Sequence, residues 1–361
     1  MVRLSTLLLA LLIAGCPAPA ATTTTTTTTP TRPTTPEQIE PPKLSWTRVV
    51  TRDDVPPAPA PGTYQVHLID VGTGLAVLVR GADFSLLYDA GTNDAGEKPM
   101  RVLAYLAAAL GPSGDDLCVE PGAPVPTERR ALPHVVLSHP HLDHASALDL
   151  VFHCYDVGDF WEPGRVVDRV FYRELLEVVG KSRARRHTAL EFSEGDVVPL
   201  GETARFTILH ANAKPASDPN ENSLVIAVEL GRTRLLLVGD AESGPRKDPT
   251  YPPGDVEAHL IDHHASRIRA DVLQVGHHGS KTSSRRAFLE AVAPRVALIS
   301  SGPKSYGGTT LPDVEVLDEL ARIGAIVLRT DTHDQSCPER GRLGGDRGPG
   351  GCDSWVITIG P

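Results

Sequence analysis

The chain has 361 residues, 40% of them hydrophobic and 22% charged, the ordinary balance of a soluble globular protein with room for one large or two small domains. Thirty-two glycines and 32 prolines predict many turns and a loop-rich surface. A formal net charge of −10 excludes a surface coated in basic residues for tight nucleic-acid binding. A local basic groove stays open, with KSRARRH (181–187) and SKTSSRR (280–286) as the runs that could line one, although such runs are more often solvated faces.

At the N-terminus, Arg3 precedes the apolar run LLLALLIAG (7–15), which has the length of a signal-peptide core and is too short to span a bilayer. It ends in Leu12-Ile13-Ala14-Gly15-Cys16, which resembles the bacterial lipobox, whose cysteine is acylated and becomes the mature N-terminus. The resemblance implies an exported protein lipidated on Cys16 and anchored to the cell envelope, at the outer membrane on its periplasmic or cell-surface face. No long apolar segment follows residue 15, so no transmembrane channel is expected. Residues 17–62 carry eight consecutive threonines and Pro- and Ala-rich stretches, a composition that cannot offset chain entropy by burial, and read as a disordered tether. The folded domain is expected over 63–361. In an oxidising compartment Cys118, Cys154, Cys337 and Cys352 suggest two disulfides; Cys337 and Cys352 bracket a Gly- and Arg-rich loop, which leaves Cys118 for Cys154, though spacing does not fix connectivity.

Within the domain, YQVHLID (64–70), LAVLVR (75–80) and FSLLYDAG (84–91) read as strands, and PMRVLAYLAAAL (99–110) as a helix stopped by Gly111. HVVLS (134–138) reads as a buried strand, VGDFW as another, and DRVFYRELLEVV (168–179) as a helix. ARFTILH (204–210), SLVIAVEL (223–230), TRLLLVGD (233–240), ADVLQVG (270–276) and ALIS (297–300) are further strands. A helix across VEVLDELARIG (314–324) and strands AIVLRT and SWVITIG complete the chain. Groups of strands with helices between, in two similar halves, predict a layered α/β architecture with site residues at strand ends.

Directly after the strand at 134–138 stand His139-Pro-His141-Leu-Asp143-His144, four metal-ligand side chains within six residues. Alternating His139 and His141 can face one ion while Asp143 and His144 serve a second close by. The segment resembles the HxHxDH signature of the metallo-β-lactamase superfamily, most closely in the form of the extracellular hydrolase-like domain of ComEC, a DNA-uptake protein, and its stand-alone relatives. IDVGTGLAVLV, LLYDAG, NENSLVIAVELGRTRLLLVGDAE and ADVLQVGHHGSKTSS carry the resemblance further, in the family's order, over almost all of residues 64–361.

The resemblance implies an α/β fold, the four-layer αββα sandwich, with two divalent ions, usually Zn2+ and sometimes Mn2+. It assigns His139 and His141 to the first metal, Asp143 and His144 to the second, and Asp240 to a bridge between them. His277 or His278 would complete the second metal, while the other would reach the substrate or act as acid for its leaving group. His210, Asn220 and Asn222 stay open as the last ligand of the first metal. Asp70 and Asp89 are expected to orient ligand imidazoles, and Ser280, Lys281 and Ser283 to hold a substrate phosphate. Thr73 and Leu75 depart from the family's opening motif, and Gly308 in KSYGGTT stands where a histidine is expected. The function implied is hydrolysis by a metal-activated water, with Asp143 and the late histidines in the chemistry and a phosphodiester, DNA first, as substrate. The alternatives are a carbonyl (lactam or ester) hydrolase, or a non-catalytic surface lipoprotein that binds a ligand or partner.

Overall fold

The computed structural model describes residues 41–94, 99–113, 128–164, 169–212, 214, 216–337, 343 and 350–361. Its first half runs β1 (Leu44–Val49), β2 (Tyr64–Leu68), β3 (Val77–Arg80), β4 (Ser85–Tyr88), α1 (Pro99–Leu110), β5 (Ala131–Val136), α2 (Leu142–Ala145), α3 (Leu148–Cys154), β6 (Asp156–Glu162), α4 (Val170–Lys181) and β7 (Arg185–Thr188). The second half runs β8 (Val197–Leu200), β9 (Ala204–His210), β10 (Val225–Leu230), β11 (Thr233–Leu237), α5 (Asp255–Ile268), β12 (Val272–Gln274), α6 (Arg286–Val292) and β13 (Val296–Ile299). A small hairpin, β14 (Ser305–Tyr306) and β15 (Thr309–Thr310), precedes α7 (Val314–Arg322), β16 (Ile326–Arg329) and β17 (Ser354–Ile359).

Strand alternation builds the layers, because each face of each sheet buries a different set of side chains. Val77, Val79, Leu86 and Val136 meet Ile226, Val228, Leu235 and Leu237 in the core between the sheets. Their sequence neighbours Leu78, Leu87 and Val135 turn the other way, onto α1, α3 and α4. Ala227, Leu236, Leu273 and Ala297 likewise turn outward onto α5, α6 and α7. The result is the expected four-layer αββα sandwich. One sheet has the order β1-β17-β2-β3-β4-β5-β6-β7 and the other β16-β13-β12-β11-β10-β9-β8. In each, an antiparallel part passes into a parallel part, β4 to β7 in one and β11, β12, β13 and β16 in the other. The parallel strands of both sheets end toward one edge of the sandwich, and the loops beyond those ends carry the candidate site.

The tether boundary at residue 62 needs correction. Residues 44–49 form β1, which pairs antiparallel with β17 along its whole length, and Pro42 to Pro361 is one compact unit. Val49 is buried, and Arg48 reaches the buried carboxylate of Asp353 at 3.0 Å and the carbonyl of Cys352 at 2.9 Å. Cys16 and residues 17–40 lie outside the described residues, as does Cys118, and with it the expected pairing to Cys154. Cys337 and Cys352 are disulfide-bonded, as expected.

Most of the basic residues in the two runs are spent on local partners. Arg185 and His187 pair with Asp159, Arg186 with Glu162, Lys281 with Glu315 and Arg286 with Glu319. Arg285 is buried and donates to the carbonyls of Pro245, Lys247 and Asp248.

Candidate metal centre

The 138–144 loop leaves β5 and is clamped from below by the two loops that end β2 and β4. Leu75 N donates to the Asp143 carbonyl at 2.9 Å, and Ala90 N to the His144 carbonyl at 2.8 Å. Such approach needs glycine at Gly74 and Gly91: a Cβ at Gly91 would sit 2.5 Å from the backbone of Asp143, His144 and Ala145, and one at Gly74 2.7 Å from the Asp143 carbonyl. The glycines of the DVGTG and DAG stretches therefore set the height of the histidine loop.

From the facing sheet, β11 delivers Asp240. Gln274 in β12 accepts from Val238 N and Gly239 N, both at 2.8 Å, and donates to the Gly239 carbonyl at 3.0 Å, which fixes the bend that presents the aspartate. Asp240 is 2% exposed and is the hub of the site. Its Oδ2 lies 3.2 Å from His144 Nε2, 3.6 Å from His278 Nε2, 3.9 Å from His277 Nε2 and 4.0 Å from His139 Nε2. His139 Nε2 is in turn 2.9 Å from His141 Nδ1. His139, His144 and Asp240 form one tight donor group, and Asp143, His144 and His278 another, each with atoms within 4.8 Å of one another.

These residues fit divalent ions. His144 Nε2, Asp240 Oδ1 and His278 Nε2 are buried with no hydrogen-bond partner, a cost that a cation between them would remove. Their far sides are already committed. Asp89 accepts from Ser138 N at 2.6 Å and faces His144 Nδ1 at 2.7 Å. His278 Nδ1 donates to the Ser300 carbonyl at 2.9 Å, which turns its Nε2 toward the aspartates. Burial favours neutral Asp240, but the surrounding imidazoles of His144, His278 and His277 hold its carboxyl well below the usual range. Burial likewise opposes charge on His144, yet Asp240 and Asp89 override it and raise the imidazole well above its ordinary value. Burial keeps His139 well below the usual histidine range, the neutral form that ligation requires.

His277 and His278 play different parts although adjacent. Both have left-handed backbone, φ 48° and 55°. His278 faces Asp143 Oδ2 at 3.7 Å as well as Asp240. His277 anchors Nδ1 against Glu242 Oε1 at 2.8 Å and Thr282 Oγ1 at 2.7 Å, and lines the mouth of the site.

Above the cluster opens a cavity of about 670 Å³ whose walls include Arg169, Phe171, Asn220, Arg246, Ser280 and Tyr306. Asn220 is the one of the three open last-ligand candidates that lines it; its Oδ1 is buried without a partner and its amide donates to Glu242 at 3.1 Å. Tyr306, on the β14–β15 hairpin whose turn is Gly307-Gly308, brings its hydroxyl 3.4 Å from Asp143 Oδ2. Arg246 donates to Ser280 Oγ at 3.0 Å and pairs with Asp313 at 2.6 Å. Arg246, Arg169, Phe171, Gln274 and Glu242 had not stood out in the sequence, since nothing local distinguishes one loop arginine or buried glutamine from another.

Several expected residues lie elsewhere. Asp70 touches no imidazole; it accepts from Gly72 N, Gly351 N and Asp353 N and so ties the C-terminal loop to β2. Asn222 spends its side chain on Ala216, Asp218 and Asn212. Lys281 turns to Glu315, and Ser283 is buried against the Gly276 and Ser280 carbonyls. His210 faces a separate pocket.

A family model described as Metallo-beta-lactamase superfamily matches residues 69–302. The chain belongs to the metallo-β-lactamase superfamily. Among similar proteins, Recombination protein 2 of Haemophilus influenzae is 28% identical over 275 residues, which are 76% of this chain and 28% of that protein. Competence protein ComA of Neisseria gonorrhoeae is 29% identical over 267 residues, 74% of this chain and 31% of that protein. The chain thus spans less than a third of the length of these relatives, and their names agree with the ComEC-type resemblance. The metallo-beta-lactamase fold protein YhfI from Bacillus subtilis aligns over 74% of this chain and 96% of its own, at 12% identity and a TM-score of 0.44. Superfamily membership and the clustered His and Asp donors make this a candidate divalent-metal centre in a hydrolase-type fold.

Proposed function

We propose that the chain is a metal-dependent phosphodiesterase whose favoured substrate is a nucleic-acid strand. The observation that carries this reading is the make-up of the cavity: a donor cluster at its floor, Arg169 and Arg246 on its walls, and the aromatic side chains of Phe171 and Tyr306 in its lining. Arginines suit an anionic diester, and aromatic faces suit the flanking bases. With most of the two basic runs spent on local partners, a short single-stranded segment fits better than a gripped duplex. Relatives named for competence and recombination support a nucleic acid.

His139, His141, Asp143, His144, Asp240 and His278 would hold two divalent ions, with Zn2+ the favoured metal for this imidazole-rich set. When bound, such ions supply a nucleophilic water at neutral pH and offset charge on the reacting phosphoryl group. The chain does the rest. Asp89 and the Ser300 carbonyl fix the orientation of His144 and His278. Arg246 and Asn220 place the phosphate. His277, backed by Glu242, holds a proton where the leaving oxygen departs.

Export with lipidation on Cys16 belongs to the same proposal. One observation supports it: the Cys337–Cys352 disulfide suits an oxidising compartment.

The test is to load the purified protein with Zn2+ or Mn2+ and assay bis-p-nitrophenyl phosphate, single-stranded DNA and nitrocefin. We expect hydrolysis of both diesters, a loss of more than ~100-fold in Asp240→Ala with the fold intact, and no action on nitrocefin. A metal-loaded protein inert toward all three sinks the enzyme reading, and nitrocefin turnover alone would replace it with the carbonyl reading.

A further inference from the structure

A second group of donors stands apart from the cluster around Asp240. Glu194, in the loop before β8, receives two imidazoles from α5. His259 Nε2 lies 3.0 and 2.9 Å from its two carboxylate oxygens, and His264 Nε2 lies 3.2 Å from one of them. The three donor atoms fall within 4.8 Å of one another.

Two features show that the fold is arranged to bring these groups together. Residues five apart on a regular helix point ~140° away from each other, so His259 and His264 could not both reach one carboxylate from an undistorted α5. The helix is broken at His264 itself, where φ is −130° and ψ 21°, and the break turns the second imidazole onto Glu194. His210, at the end of β9, is the second feature. Its Nδ1 lies 2.8 Å from the Ser223 carbonyl, and a carbonyl can only accept, so Nδ1 carries the proton and the neutral ring keeps its Nε2 lone pair. That is the state in which a histidine ligates a metal. The His210 ring lies 5.6 Å from that of His259, centroid to centroid, in the wall of the same pocket. The pocket has a volume of about 290 Å³ and is also lined by Glu221 and Asp255, whose charge draws cations toward it.

We propose that Glu194, His259 and His264, with His210 as fourth donor, form a further divalent transition-metal site that ties α5 to the β8–β9 hairpin. One carboxylate with three imidazoles is a donor set for Zn2+ or a similar borderline cation rather than for Ca2+ or Mg2+. The site is separate from the hydrolytic centre: the 220–222 turn stands between them, with Asn220 lining the large cavity and Glu221 this one. The proposal holds whatever the substrate of that centre.

The experiment counts zinc in the full chain by plasma mass spectrometry after equilibration with Zn2+ and removal of unbound metal. Glu194→Gln and His259→Gln should each bind one equivalent less than wild type, with diester hydrolysis unchanged. Asp240→Asn should lose zinc from the other centre and keep this equivalent. Equal counts in wild type, Glu194→Gln and His259→Gln would overturn the proposal and leave a His–Glu–His ion-pair cluster. Should the variants not fold, nitrogen-15 NMR of the wild-type imidazoles during Zn2+ titration decides. Coordination shifts at His259 and His264 Nε2 support the site, and their absence overturns it.

Discussion

Two identical side chains in succession would ordinarily diverge by chance; at His277 and His278 the divergence is built by the backbone. Each residue sits in the left-handed region at a cost of order 1–3 kcal/mol, offset by the anchors on the two Nδ1 atoms, Glu242 and Thr282 for one and the Ser300 carbonyl for the other. The consequence is a division of labour that kinetics can read. His278→Ala should release metal and lower hydrolysis of every diester by more than ~100-fold. His277→Ala should keep its metal and lose ~100-fold or more in kcat on DNA, but far less on bis-p-nitrophenyl phosphate, whose leaving group departs without a proton. Metal counting together with the ratio of the two rates checks both. Loss of metal in His277→Ala would reverse the assignment.

Among the elements, β1 matters most for how this protein is handled. It covers the exposed side of β17, buries Val49 and supplies Arg48 to the buried Asp353. A chain beginning at Pro42 should melt as the whole protein does. One beginning at Thr63 should lose roughly 3–5 kcal/mol, about 5–8 °C in Tm, from the lost burial and the stranded carboxylate, and calorimetry of the two chains would show it. Equal melting would mean that β1 is only laid against the sheet. The element also marks where the sequence ceased to be legible. Strands with both faces buried announced themselves as apolar runs, and ARFTILH matched β9 to the residue. LSWTRV did not, because an edge strand half in solvent beside a proline-rich stretch looks like tether. Helix α5 escaped for a related reason. Its inward stripe Val256, Leu260, His264 and Ile268 has helical spacing, but the polar residues and two histidines between, His259 and His263, obscure it. The HPHLDH loop and Asp240 were readable because ligands crowd together in sequence or end an apolar strand. Asp70 misled because the loop it serves, at 351–353, arrives from almost 300 residues away, a contact no local pattern displays.

At the scale of the whole domain, the candidate centre joins the two halves of the sandwich. His139, His141, Asp143 and His144 follow β5 of one sheet, while Asp240 and His278 follow β11 and β12 of the other. The inter-sheet core is apolar and needs no ion, but at this edge buried carboxylates and imidazoles face one another across the gap, with His144 Nε2, Asp240 Oδ1 and His278 Nε2 unpartnered. A ligand that binds only the folded chain stabilises it by RT ln(1 + [L]/Kd), or ~2.7 kcal/mol for a single site at a hundredfold excess over Kd. Spread over the unfolding entropy of a domain of ~300 residues, that is about 4 °C in Tm. Chelation should therefore lower the Tm of the wild type by at least about 4 °C, restored by adding Zn2+ back. In Asp240→Asn the chelator should act more weakly, since an ion that Asp240 would hold between the sheets would be lost while any metal held by Glu194, His259 and His264 remains. If chelation moves wild type and Asp240→Asn by the same amount, the two halves are not held through Asp240, and the centre does not join the sheets.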